Sequence, residues 1–116
     1  MYVVLHENNL EGLEVKAEGA MKVVKKSLIG PTEGWQGWVM RLFALGENGH
    51  SPKHSHPWPH INYVVSGQGA IIIDGNENEL TPGAYAFVPD NIEHQYVNRG
   101  STEFKFICIV AEKGDV

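Results

Sequence analysis

The sequence predicts an all-β protein, a sandwich or barrel of short strands. Three observations lead there. Alternating or β-branched segments are separated by turn signals about every 8–12 residues, which makes seven or more strands. Thirteen glycines and six prolines cut the 116 residues into short pieces. From residue 38 onward no segment carries a sustained i, i+3, i+4, i+7 apolar stripe. The length suits one domain, residues 1–116, with a single core.

Taken in order, the one weak helical signal is a turn around Gly12 to Lys16. Met21 to Ile29 is apolar and basic, with β-branched Val23 and Val24, and Gly30-Pro31 closes it. Lys22, Lys25 and Lys26 then read as a solvated strand face. Trp38 to Leu45 alternates, with Val39, Arg41, Phe43 and Leu45 on one side and Met40, Leu42 and Ala44 on the other. Gly46-Glu47-Asn48-Gly49 reads as a turn. Ile61 to Val65 is a β-branched run leading to Gly67 and Gly69, and Ala70 to Ile73 follows, closed by the hairpin signal Asp74-Gly75. Leu80-Thr81-Pro82-Gly83 turns the chain into Ala84 to Val88, and Pro89-Asp90-Asn91 turns it again. His94 to Asn98 and Phe104 to Ala111 end the set, divided by Arg99-Gly100-Ser101.

Nine Lys+Arg against fourteen Asp+Glu leave a net charge of −5, the wrong sign for a nucleic-acid surface. One cysteine, Cys108, forms no internal disulfide or CxxC motif and suits a reducing cytoplasm. The opening residues have no basic signal-peptide region, and no apolar run approaches the roughly 18 residues of a membrane span. The odd feature is histidine: of six, four lie between His50 and His60.

His54, His56 and His60 are separated by even numbers, which on an extended segment puts them on one face. Imidazole suits divalent first-row metals, and ligands on neighbouring strands can converge on one ion. The bland alternative is a hydrated loop stiffened by Pro57 and Pro59. His6 and His50 read as exposed bystanders.

At these residues the chain resembles the cupin superfamily. Gly49, His54, His56, His60 and Gly67 match its first motif, G-x5-HxH-x3,4-E-x6-G, with a first gap one residue short and His60 in place of the glutamate. Gly83, Pro89, His94 and Asn98 match the second, G-x5-P-x-G-x2-H-x3-N, with Asn91 in place of its second glycine. Asn tolerates the left-handed backbone better than most residues, so that exchange is mild. The resemblance implies a double-stranded β-helix, or jelly-roll, barrel over residues 38–111, with 1–37 as N-terminal strands and arm. It looks most like the small single-domain bacterial cupins that bind one divalent transition ion (Mn, Fe, Ni, Cu or Zn) through four histidines, here His54, His56, His60 and His94. The alternative is that His60 turns away and three histidines bind alone. The resemblance also implies a homodimer.

Alternation then lays out the pocket wall. Asn62 and Val64 share the face of His60, and Tyr96 and Asn98 that of His94, so Tyr96 is a candidate catalytic residue beside the metal's open side. Phe104, Phe106, Cys108 and Val110 should face in and Lys105 out. Arg41 either snorkels out at the barrel mouth or reaches the pocket, where it could hold a carboxylate as a second candidate catalytic residue. Cys108 reads as a small buried hydrophobe, and Trp58 as a candidate for the pocket entrance. Two functions fit: a dioxygenase-type oxidoreductase or related enzyme acting on a small anionic or enolisable molecule, and a non-catalytic binder or sensor. A metal-free sugar-nucleotide isomerase fits worst, since all four ligand positions hold competent residues.

Overall fold

The computed structural model describes residues 2–115. Nine strands run β1 (Leu13–Glu14), β2 (Met21–Ile29), β3 (Trp38–His50), β4 (His60–Ser66), β5 (Gly69–Ile73), β6 (Asn76–Leu80), β7 (Tyr85–Val88), β8 (His94–Asn98) and β9 (Phe104–Ala111). Three single 3-10 turns, Glu7–Asn9, Pro31–Glu33 and Glu112–Gly114, are the only helical elements among the described residues. Every pairing is antiparallel, in the order β6-β5-β8-β3-β9-β4-β7, with β2 added to β3 and β1 to β2. The expected all-β jelly-roll barrel is what forms.

β3 links the two halves of the barrel. Its first part, Trp38 to Leu45, pairs with β9, while its last residue His50 pairs with Val97 of β8. The expected turn at Gly46–Gly49 is instead a bulge inside this one strand. The register against β2 jumps between Val23↔Leu45 and Met21↔His50, and Asn48 takes a left-handed φ of 64°. Gly49 permits the crowding, since a Cβ there would lie 2.7 Å from the Gly46 carbonyl oxygen.

The expected helical turn at Gly12 to Lys16 is also corrected: Leu13 and Glu14 form β1 against Val24 and Lys25. Glycine at 12 lets the strands approach, because a Cβ would meet Val24 Cγ1 at 2.2 Å. The Asp74-Gly75 hairpin forms with positive φ at both residues (50° and 79°), as a two-residue hairpin turn requires. It leads into β6, a strand that alternation did not reveal because only Leu80 of its five residues is buried.

Alternation does sort the walls. His60, Asn62 and Val64 are buried while Ile61, Tyr63 and Val65 are exposed. Phe104, Phe106, Cys108 and Val110 point in, and Lys105 turns out to pair with Glu7 at 2.6 Å. One core cluster gathers Val23, Leu45, Val64, Ile71, Leu80, Val88, Tyr96, Phe104 and Phe106. A smaller one, Val39, Cys108 and Val110, packs against Phe43 and Trp58. Between them opens the cavity that holds the histidines.

Candidate metal centre

The ligand segment continues the pairing of β3 with β8 beyond the strand's end. Ser51 N donates to Tyr96 O at 2.9 Å, and His54 and His94 exchange backbone hydrogen bonds at 3.1 and 2.9 Å. This bridge sets two imidazoles face to edge, with ring centroids 4.9 Å apart. Pro57 and Trp58 then bend the chain, and His56 is fastened by Asn91 N donating to its carbonyl at 2.8 Å. The even spacing therefore brings the histidines together through a bridge and a bend, not along one flat strand. His60 opens β4 and His94 opens β8.

His94 is the hub. Its ring lies 4.9 Å from His54, 5.0 Å from His56 and 5.0 Å from His60. Ring nitrogens of His54, His56 and His94 lie within 4.8 Å of one another, a group able to hold a metal ion. His60 stands beside them, its Nε2 3.3 Å from that of His94 and its ring 5.3 Å from that of His56. His6 is exposed, as expected, and caps the first 3-10 turn. His50, expected to be exposed, is half-buried against Ser51 O and Gln95, away from the ligand cluster.

The outer ring nitrogens fix the tautomers. His56 Nδ1 faces Trp58 O and His94 Nδ1 faces Ile92 O, both at 2.8 Å. A carbonyl only accepts, so each Nδ1 carries the proton and each Nε2 lone pair is free for an ion. His60 Nδ1 stands 3.4 Å from Cys108 Sγ. If the lone pairs of His60 and His94 share a cation, His60 Nδ1–H donates to that sulfur. Burial, then the neighbouring imidazoles, lowers the pKa of His54 from 6.5 to about 4 and that of His60 to about 3. Burial lowers His94 as well, partly offset by its bond to Ile92. Neutral imidazoles with free lone pairs are what a divalent ion needs. The donor set fits the metal.

The cavity measures about 420 Å³, and its wall includes Val23, Leu45, Phe43 and Phe106 beside the histidines. Trp58, expected at the entrance, lines it and stacks on His56 at 4.9 Å with planes 10° apart. Tyr96 is buried on the same wall, its ring 6.0 Å from His94 and 6.3 Å from His60. Its hydroxyl donates to Asn62 Oδ1, and burial raises its pKa well above 10, so it is a neutral donor. Asn98 shares the face but not the site: its amide ties Leu45, Gly46 and Thr102 carbonyls together at 2.8–3.1 Å.

Arg41 does not snorkel into water. It is buried on the cavity wall, donating from Nη2 to Cys108 Sγ at 3.0 Å, with its guanidinium 5.0 Å from the centre of the Phe43 ring. Cys108 is a buried free thiol, as expected, and burial raises its pKa despite Arg41. Two residues of this region escaped sequence reasoning. Lys25 lines the cavity instead of belonging only to a solvated face, a placement that the Val23–Lys25 alternation could have signalled. Asp115 binds Lys25 at 2.7 Å and stands 3.5 Å from Arg41, and nothing in its local sequence pointed there.

A family model described as Cupin domain matches residues 41–110, which include all four histidines. No curated protein matches the chain. Among solved structures it is similar to the polyketide cyclase RemF from Streptomyces resistomycificus, with a TM-score of 0.89 and 26% identity over 96% of this chain and 80% of that one. It also shares its fold with a predicted oxalate decarboxylase from Thermotoga maritima (TM-score 0.85, 17% identity, 94% of this chain and 98% of that one). KdgF from Halomonas sp. is a third such structure (TM-score 0.79, 16% identity, 99% and 98%).

Proposed function

The chain belongs to the cupin domain family, and on that basis we propose that it is a metal-dependent enzyme acting on a small, enolisable organic molecule. The observation that carries this reading is the convergence of His54, His56 and His94, with His60 beside them, on an apolar cavity of about 420 Å³. In this reading all four imidazoles hold one divalent ion, of Mn, Fe, Ni, Cu or Zn. When bound, such an ion supplies Lewis-acid polarisation or redox chemistry.

The chain's own groups do the rest. Trp58 O and Ile92 O hold the His56 and His94 rings in the ligating tautomer. Phe43, Phe106 and Leu45 exclude water around the substrate. Tyr96 offers a phenolic proton to a substrate oxygen once its bond to Asn62 is exchanged, and Arg41 offers positive charge. The four candidate ligands include no carboxylate, so a carboxylate base would have to come from elsewhere on the cavity wall, where Glu18 is exposed.

Dioxygenase-type oxidation is the first reaction class. Cyclisation without oxygen is the second, favoured by the likeness to a structure named as a polyketide cyclase and by the aromatic wall. Oxygen uptake by the metal-loaded protein against β-diketones, enediols and catechols separates them. Uptake matched to substrate loss supports oxidation, whereas substrate loss without uptake supports cyclisation. Tight ligand binding with no turnover of any kind sinks the enzyme reading in favour of a sensor. The proposed assembly is a homodimer and the proposed compartment the cytoplasm, the latter supported by the free thiol of Cys108.

A further inference from the structure

Arg41 is short of partners. It is 9% exposed, yet its Nε is buried with no hydrogen-bond partner and its Nη1 only stands 3.5 Å from Asp115 Oδ1. A guanidinium carries five N–H donors, and a buried charge with donors to spare is costly unless something completes it. A second cation shares the wall: Lys25, in register with Phe43 on β2–β3, reaches the same Asp115 oxygen at 2.7 Å. Lys25, Arg41 and Gly114 all line the cavity of the histidines. Two cations thus face one carboxylate oxygen. Glu18, exposed at the rim, is the only carboxylate residue among the described lining residues.

Asp115 is carried by the 3-10 turn Glu112–Gly114. That turn packs against the metal site, since a Cβ on Gly114 would come within 2.6 Å of both Trp58 Nε1 and Val110 Cγ2. Trp58 in turn stacks on His56. At the other end, Arg41 reaches His60 through Cys108 alone, by contacts of 3.0 and 3.4 Å. A carboxylate seated on Arg41 is therefore one side chain away from the histidine cluster. The same cavity is lined by the apolar surfaces of Phe43, Phe106 and Tyr96.

We propose that Lys25 and Arg41 form a carboxylate-binding subsite of this cavity, that Asp115 is the internal carboxylate for which the ligand is exchanged, and that the molecule handled is an organic acid with an apolar body. The exchange is charge for charge, and the incoming carboxylate gains the bidentate guanidinium geometry that Asp115 does not reach. This deepens, and rests on, reading the cavity as the substrate site.

Calorimetry with benzoate and its uncharged isostere benzamide tests the subsite on metal-free protein, where no ion competes for the acid. Wild type should bind benzoate at least about tenfold tighter than benzamide. Asp115→Asn should tighten benzoate by about tenfold and leave benzamide unchanged, and Arg41→Gln should weaken benzoate by about tenfold or more. Each variant should take up as much zinc as wild type. Equal binding of the two probes, or benzoate binding that Asp115→Asn leaves unchanged or weakens, overturns the proposal even if Arg41→Gln fails to fold. Benzoate discrimination in a protein that takes up none of Mn, Fe, Ni, Cu and Zn would instead support the subsite and remove the metal reading.

Discussion

At the scale of the residue, the histidines are unequal. His94 is buried and touches the other three, so His94→Ala should abolish metal uptake. His60 lies outside the three-histidine group, its ring 5.0 Å from His94 and 5.3 Å from His56, so His60→Ala should keep about one equivalent at saturation but with affinity lowered roughly 10–100-fold. Metal titration against a chelator reads both; unaltered affinity in His60→Ala would assign a three-histidine site. These residues also make stability depend on pH. His54, His60 and His94 have folded pKa values below 6.5, so the folded chain binds fewer protons than the unfolded one under acid. Stability of the metal-free protein is therefore full above about pH 7 and lost as pH falls from 6.5 toward 4 and 3, at up to ~1.4 kcal/mol per unit for each buried group. Solvent screening reduces the share of His54, which is exposed. The urea midpoint should drop between pH 7 and pH 5, more steeply in wild type than in His60→Phe; a flat profile contradicts this. The ligands were legible because their type and spacing are rare together. Asp115 was not, because its partners Lys25 and Arg41 lie 90 and 74 positions away in sequence (115 − 25 and 115 − 41).

At the scale of the element, alternation sorted β4 and β9 into inner and outer faces because each buries one face and leaves the other nearer to water, whereas in β8 Val97 on the opposite face is buried as well. It failed for β6, whose Asn76–Glu79 is polar on both faces, since this edge strand is held by its hairpin partner β5 instead of by burial. It also split β3 at Gly46–Gly49, where glycines serve a bulge as well as they would a turn. Close packing gives this scale its test. A Cβ on Gly69 of β5 would lie 2.4–2.6 Å from the ring of Phe104, which is fully buried. Gly69→Ala should therefore cost about 1–3 kcal/mol in denaturant unfolding while leaving metal uptake intact. An unchanged midpoint would mean that the Phe104 ring has room the packing denies it.

At the scale of the whole molecule, the outer face of β4 and β7 leaves Ile61, Tyr63, Val65, Tyr85 and Phe87 between 41% and 82% exposed, on a sheet that ends in the open edge of β7. Contiguous exposed apolar side chains of this kind favour an interaction surface, and a second copy meeting it face to face would cover it on both chains. For the proposed homodimer, light scattering should give the mass of two chains, and Phe87→Lys should return one. A monomeric wild type would remove that proposal without touching the site. The central claim concerns the barrel's interior and is tested most directly by elemental analysis. Protein prepared without a metal-affinity column should contain, or take up from Mn, Fe, Ni, Cu or Zn offered singly, close to one divalent ion per chain, and His94→Ala close to none. Folded wild type that takes up none of the five, or His94→Ala that holds as much as wild type, contradicts the metal centre.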